Sequence, residues 1–213
     1  MRQPMRQPMR QRVTLAIVTA AVAATPVACG YQGLSLPAQT AITLRGQGAL
    51  TEPGPDSNAV TFNSALAPSG ARLAVTMIPS GLSTTAELTV NGLQPNRGYA
   101  VNAHTNACNN PDSVGLHYQN RVDPAATLQQ PSTNPEYVNP QNEIWLDVRT
   151  DAGGSGTSRV TVPFVFTDRG PGSIVVHEAE QTPTGPGEAG KSGAPVACLT
   201  LAAVRPQEDT LLP

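Results

Sequence analysis

Short runs of β-branched and apolar residues recur along this 213-residue chain, and turn residues separate each run from the next. This spacing is typical of antiparallel strands joined by tight turns. Glycine (19 residues) and proline (21 residues) supply many of these turns. The runs that predict strands are Thr40–Leu44, Ala59–Ala67, Arg72–Ile78, Thr84–Val90, Tyr99–His104, Glu143–Thr150, Ser158–Phe166, Ser173–His177 and Val196–Val204.

The predicted fold class is all-β, an antiparallel sandwich or barrel of about eight strands. Two long segments interrupt the strand pattern. The first long loop, Cys108–Gln141, is rich in Asn, Gln and Pro, and the second long loop, Glu178–Ala194, is rich in Gly and Pro. Long loops in a compact domain are usually functional or held by a cross-link, so function is expected there.

The composition excludes several functions. The chain has 13 basic and 15 acidic residues, a net charge of −2, and Lys191 is its single lysine. A nucleic-acid binder usually carries a basic stripe or patch, so no nucleic-acid partner is expected. The chain also lacks a Ser-His-Asp motif, a glycine-rich phosphate loop and a Cys-x-x-Cys pair. Hydrolase and nucleotide-dependent functions therefore have no support.

The N-terminal residues have the order of an export signal. Residues 1–12 contain four arginines and no acid, and the apolar run Val13–Ala24 and small residues follow. The run is shorter than the roughly 20 residues that a transmembrane helix needs. We interpret residues 1–28 as the signal. Its removal leaves 9 basic and 15 acidic residues, so the exported chain has a net charge of −6.

Cys29 follows small residues, at the place where a bacterial lipoprotein signal holds its lipidated cysteine. This interpretation predicts a lipid anchor at Cys29 on the outer face of the cell membrane, with residues 29–39 as a tether. The alternative is an ordinary cleaved signal, which leaves Cys29 near the new terminus of a secreted protein. Residues 40–204 then form the domain, and residues 205–213 form a flexible tail.

Cys108 and Cys198 are the two cysteines left after Cys29. An exported domain meets an oxidising compartment, so this pair predicts one disulfide. Trp145, the only tryptophan, lies in an apolar run and is interpreted as a core residue.

The three histidines of the chain lie at the edges of the two long loops. His104 ends a predicted strand, His117 lies in the first long loop, and His177 ends the strand before the second long loop. Three imidazoles are a donor set that suits copper or zinc. The pattern indicates a metal site, and the alternative is three unrelated histidines held by local hydrogen bonds.

Several segments resemble, in the same order, segments of the copper/zinc superoxide dismutases. They are Asn91–Pro95 and Gly98–His104 (the glycine-leucine-proline turn and copper-binding strand), Cys108 (first disulfide cysteine), Gly115–Tyr118 (glycine-proline-histidine-phenylalanine), Gly172–Glu178 (valine-valine-histidine-glutamate) and Ala194–Cys198 (second disulfide cysteine). The resemblance covers about residues 40–204. It implies an eight-stranded, immunoglobulin-like Greek-key sandwich of the type found in that family.

The resemblance also implies a site and an activity. His104, His117 and His177 match copper ligands of the family, and His117, which matches the histidine that faces the copper, is expected to relay a proton in catalysis. The implied activity is the dismutation of superoxide to oxygen and hydrogen peroxide outside the cytoplasm, with one copper per chain.

The chain departs from the family at the metal ligands. Asn102 stands where the family has the first histidine of a His-x-His pair; an alignment counted from Gly98 would instead place that pair on Ala100 and Asn102. The loop from Gln119 to Asn142 has no histidine, so zinc is not expected. This resembles the copper-only branch, in which an acidic side chain, here Glu143, can orient His117.

A third departure concerns the attraction of substrate. Pro195 replaces the arginine that attracts superoxide in the family, and Lys191 can supply part of the missing positive charge. The departures at Asn102 and Pro195 favour two alternatives on the same fold: a copper-binding module without turnover, or a structural domain without metal. The three retained histidines favour a copper protein.

Overall fold

The computed structural model describes residues 40–109 and 111–204. The predicted export signal (residues 1–28), the predicted lipidation site Cys29, the tether (residues 29–39) and the tail (residues 205–213) lie outside the described residues. Everything described belongs to one compact unit. Within this part of the chain, no helix is both long and apolar enough to cross a membrane.

The described residues form strands and one short 3₁₀ helix. In chain order the strands are β1 (Thr43–Ala49), β2 (Ala59–Thr61), β3 (Arg72–Ser80), β4 (Ser83–Asn91), β5 (Gly98–Tyr99), β6 (Val101–His104), β7 (Val148–Arg149), β8 (Gly156–Val162), β9 (Ser173–His177), β10 (Pro195–Thr200) and β11 (Ala202–Val204), and the 3₁₀ helix is Pro111–Ser113.

Two antiparallel sheets, called the larger and the smaller sheet, pack face to face, and β5 and β7 pair as a separate two-stranded sheet. The larger sheet has the strand order β11-β1-β3-β4-β8, and the smaller sheet has the order β2-β10-β9-β6. A single apolar cluster joins them, with Val75 and Leu88 from the larger sheet and Ile174 and Leu199 from the smaller one. The prediction of an all-β antiparallel sandwich is therefore confirmed.

Several of the predicted strand runs need correction. The run Thr40–Leu44 stops too early, because β1 continues through Gly46 and Gly48 to Ala49. These glycines are not turn residues: a Cβ on Gly46 would lie 2.6 Å from the carbonyl oxygen of Thr200, and one on Gly48 would lie 2.6 Å from Cβ of Ala59. Glycine is needed here for close approach of the backbone.

The other corrections concern where strands begin and end. Of the run Ala59–Ala67 only Ala59–Thr61 is a strand, the run Tyr99–His104 is split at Ala100 into β5 and β6, and β8 ends at Val162, before the predicted end at Phe166. Of the run Glu143–Thr150, only Val148–Arg149 is a regular strand, and its first half lies beside β6 through an isolated bridge between Trp145 and Asn102. The run Val196–Val204 is two strands, since the chain passes at Leu201 from the smaller sheet to the larger one.

The disulfide predicted between Cys108 and Cys198 is confirmed. It joins the start of the first long loop to β10, the strand that follows the second long loop. Val60 and Val175 pack around it on the outer face of the smaller sheet. Both faces of that sheet are thus buried, so the face that lies beside the two long loops is shielded from water.

Candidate metal centre

The strand geometry aims two histidines at the same side of the smaller sheet. His104 ends β6 and His177 ends β9, and these strands are antiparallel neighbours. Ala103 and Val176, the residues before them, belong to the core. Side chains alternate along a strand, so His104 and His177 point away from the core. His117 is brought to them by a backbone bridge to His104.

Each imidazole is held through its Nδ1 atom. Nδ1 of His104 lies 3.0 Å from the carbonyl oxygen of Gly115, and Nδ1 of His177 lies 3.0 Å from that of Gly193. A carbonyl oxygen can only accept, so both rings carry their hydrogen on Nδ1. His117 donates from Nδ1 to Oε2 of Glu143 at 2.9 Å. All three Nε2 atoms are therefore left as acceptors.

The Nε2 atoms converge on one point. Those of His104 and His177 lie 3.1 Å apart, and ligand atoms of all three rings lie within 4.8 Å of one another. With the hydrogens on Nδ1, the close pair presents two lone pairs to each other. A cation between them would remove that repulsion. The three histidines can hold a metal ion, and the sequence-based prediction of a site made by these residues agrees at that level.

Protonation of the buried rings is unfavourable. Burial, together with the imidazoles of His117 and His177, lowers the pKa of His104 well below its usual value of 6.5. Burial and the neighbouring His117 lower the pKa of His177 to about 3. Both rings are neutral at physiological pH, which is the state that binds a metal.

Glu143 holds His117 through a hydrogen bond to its Nδ1 atom. Its carboxylate is 1% exposed and accepts from three donors: Nδ1 of His117 at 2.9 Å, Nε2 of Gln119 at 2.8 Å and Nε1 of Trp145 at 2.8 Å. The predicted partner of His117 is thus in contact with it. Trp145, interpreted from sequence as a core residue, packs with Val138 and also donates to this carboxylate.

Asn102 lies on the same face of β6 as His104 but its amide is already bonded. Nδ2 donates to Oγ1 of Thr182 at 3.0 Å, and Oδ1 accepts from Oγ of Ser192 at 2.7 Å. Both partners belong to the second long loop. Asn102, at the position where the resemblance expects a histidine ligand, is therefore bonded to other protein side chains. Among the described residues, the side chains that converge as possible metal ligands are the three histidines.

A cavity of about 410 Å³ opens onto the three histidines. Lys191 lies in its wall, where its ammonium group bonds a carboxylate oxygen of Glu188 at 2.8 Å. The neighbouring acid offsets much of the positive charge that the sequence assigns to substrate attraction. Arg169, which sequence reasoning missed, also lines the cavity and is held by the backbone oxygens of Gln119 and Asn120.

The other missed groups are backbone carbonyls and small polar side chains. The carbonyls of Gly115 and Gly193 belong to residues with positive φ, 79° and 83°. Glycine adopts this conformation easily, so a glycine close to a histidine was the available signal. Thr182 and Ser192 left no such signal, because both are common loop residues.

Comparison with protein-family models and with curated proteins found no match for this chain. Its function is therefore argued from the geometry of the site.

Proposed function

We propose that this protein is an exported, copper-dependent superoxide dismutase of the copper/zinc superoxide dismutase type, with an eight-stranded Greek-key sandwich as its domain. The observation that carries the proposal is the set of three Nε2 acceptors, which are left free because each Nδ1 is anchored. Imidazole nitrogens suit copper, and the neutral rings of His104 and His177 need lose no proton to bind it.

Copper held by His104, His117 and His177 would supply one-electron chemistry, by which one superoxide would be oxidised to oxygen and a second, with two protons, reduced to hydrogen peroxide. The protein residues hold the ligand atoms in place. His104 and His177 are buried and anchored to backbone oxygens, so they act as fixed donors. Anchors of this kind fix the tautomer and the orientation of a ligating ring.

His117 differs from the other two histidines in exposure and in its anchor. Its side chain is 16% exposed, and the anchor is the carboxylate of Glu143 instead of a carbonyl. When Nε2 is not bound to metal, such a ring can take a proton there from solvent, and Glu143 stabilises the charge that results. We assign the proton relay to His117 and the positioning role to Glu143.

Access for the anionic substrate is through the cavity lined by Arg169 and Lys191. Glu188 offsets much of the charge of Lys191, so Arg169 supplies most of the positive charge that favours entry of superoxide. Zinc has no part in this proposal. The location is the outer face of the cell membrane, through a lipid on Cys29, and a Cys29→Ala variant that stays in the membrane fraction would contradict that location.

A second candidate function is a copper-binding module that stores or passes the metal. The bonded amide of Asn102 favours it, because the centre has three imidazoles where the family has four.

The deciding experiment measures superoxide decay by fast kinetics on the full chain loaded with one equivalent of copper. Two identically loaded variants serve as controls. His177→Ala removes a proposed ligand, and Arg159→Ala changes an exposed residue of β8, at the edge of the larger sheet. Decay above the free-copper background that is lost only in His177→Ala supports the dismutase. Copper that survives dialysis without accelerated decay supports the binding module instead.

A further inference from the structure

Asn102 joins β6 to both ends of the second long loop. Its Nδ2 donates to Thr182, near the start of the loop, and its Oδ1 accepts from Ser192, near the end. We call Asn102, Thr182 and Ser192 the Asn102 clasp. All three residues are buried, with exposures of 1%, 4% and 3%. A buried amide that lost these partners would be costly, so the clasp holds the loop firmly.

Asp147 fixes the clasp to the rest of the sheet. Its carboxylate accepts from the backbone nitrogen and from Oγ1 of Thr182, both at 2.7 Å. It also accepts from the backbone nitrogen of Val101, beside Asn102, at 3.0 Å. Thr182 is thereby held from two sides, and its Oγ1 accepts from Asn102 while it donates to Asp147. These hydrogen bonds hold the start of the second long loop in place against β6.

The other end of the clasp leads directly to a metal-site histidine. Ser192 precedes Gly193, and the carbonyl oxygen of Gly193 accepts from Nδ1 of His177 at 3.0 Å. The backbone oxygen of Ser192 accepts from the backbone nitrogen of Ala179 at 2.9 Å, which closes the loop on itself. The position of Ser192 therefore sets the position of the acceptor that orients His177.

We propose that Asn102 is a positioning residue: through Ser192 it places the Gly193 carbonyl that fixes the tautomer and orientation of His177. The asparagine thus has a role of its own at a place where the proposed family holds a ligand. The copper part of the test rests on the proposed function, and the part on the metal-free protein does not.

The first experiment follows the His177 ring by ¹⁵N NMR in the metal-free full chain. In the wild type we expect one tautomer, with the hydrogen on Nδ1. Asn102→Ala and Ser192→Ala should each give a mixture of tautomers or loss of the Nδ1–H signal. Ser192→Ala removes one hydroxyl and keeps Asn102, so it answers the question if Asn102→Ala does not fold. A single unchanged tautomer in a folded variant overturns the proposal.

A matched control separates positioning from general loss of stability. Oγ1 of Thr84 is buried and donates to the carbonyl oxygen of Phe164 at 2.8 Å, in the larger sheet. Thr84→Val removes a hydrogen bond of the same kind at a distance from the clasp. It should lower stability while the His177 tautomer stays as in the wild type. If Thr84→Val disturbs the tautomer as much as Ser192→Ala does, the proposal is wrong.

The second experiment measures copper affinity by competition with a chelator. Positioning predicts that Asn102→Ala and Ser192→Ala each weaken binding about 10-fold, as loss of an orienting partner usually does. The double variant should bind copper about as weakly as each single variant, with the same loss of about 10-fold, since both changes break one chain of contacts. If Asn102 were a ligand, Ser192→Ala would free its Oδ1 and affinity would hold or rise; that result overturns the proposal.

These readouts distinguish two failures. A protein that dismutes no superoxide but shows the tautomer change keeps the inference and loses the proposed enzyme. A protein that dismutes superoxide with the tautomer unaffected by the clasp variants keeps the enzyme and loses the inference.

Discussion

The larger and the smaller sheet bury their residues in different ways. In β3 and β4 buried and exposed residues alternate, because one face packs on the core and the other meets water. In β6 and β9 every residue is buried. One face of the smaller sheet joins the core, and the other lies under the two long loops.

This difference in burial indicates that the two sheets contribute differently to stability and to metal binding. The larger sheet contributes apolar packing and a solvated outer face, as antiparallel sheets commonly do. The smaller sheet holds polar groups out of water, where the anchors on His104 and His177 are strongest and protonation is unfavourable. Stability and metal binding should therefore respond to different substitutions.

The largest expected effect comes from the covalent link on the smaller sheet. Replacement of Cys108 and Cys198 by serine opens a link across 90 residues. We expect a loss of about 4–5 kcal/mol in the free energy of unfolding, mainly because the unfolded chain gains freedom. Urea unfolding measures the loss, and amide exchange should accelerate more in β9 and β10 than in β3 and β4. Equal acceleration in all four strands would break the distinction between the sheets.

A core truncation in the larger sheet should leave the metal site alone. Leu88 is 1% exposed and packs in the main cluster. Leu88→Ala should cost about 3 kcal/mol of stability, from lost burial and the cavity that remains. Copper affinity, measured by chelator competition well below the unfolding midpoint, should match the wild type. A tenfold weaker affinity would contradict this separation.

Glu143→Gln should produce the reverse pattern. The variant removes the charge that holds Nδ1 of His117 and offers an amide to donors that need an acceptor. We expect copper affinity to fall by about 10- to 100-fold, the usual range for a partner of a ligating histidine. Glu87→Gln, on the exposed side of β4, is the matched control and should bind copper as the wild type does. Equal affinity in the two variants would remove Glu143 from the site.

Acid should destabilise the metal-free protein, because a buried histidine of the smaller sheet, His177, resists protonation in the folded state. Burial and the neighbouring His117 lower the pKa of His177 from 6.5 to about 3. Below pH 6.5 the unfolded chain takes up a proton that the folded chain refuses, so stability falls as the pH falls toward 3. His177 alone should cost about 2 kcal/mol at pH 5 relative to pH 7.5. Urea titrations at both pH values measure the change, and it should shrink in His177→Gln.

The smallest effect is expected on the outer face of the larger sheet. Arg159 pairs there with Glu87 across β4 and β8, and both side chains are largely exposed. Arg159→Ala should change stability by less than about 1 kcal/mol, because solvent screens such pairs. Thermal unfolding checks this, and a larger loss would show that the outer face contributes more than the comparison allows.

Sequence patterns predicted the parts of this molecule that depend on rare residues or on repeated spacing. The β class follows from recurring apolar runs, the disulfide from two remaining cysteines, and the group of three histidines that can hold a metal from their places beside long loops. The Glu143 contact with His117 was expected from a resemblance, since spacing alone gives no reason to pair residues 26 positions apart.

The missed parts depend on backbone geometry. The carbonyls of Gly115 and Gly193 anchor two histidines, and a glycine near a histidine is only a weak signal for them, because every residue has a carbonyl. The Asn102 clasp uses a threonine and a serine that lie 80 and 90 positions from Asn102. Contacts so distant in sequence form only when the second long loop folds over the sheet.

The indole of Trp145 gives the candidate metal centre an optical signal. It is the only tryptophan of the chain, and its Nε1 donates to the carboxylate oxygen that also holds His117. Nearly all long-wavelength emission of this protein therefore originates one hydrogen bond from the site. A paramagnetic ion that arrives there should quench it, so occupancy can be followed in unlabelled protein, in real time and at low concentration.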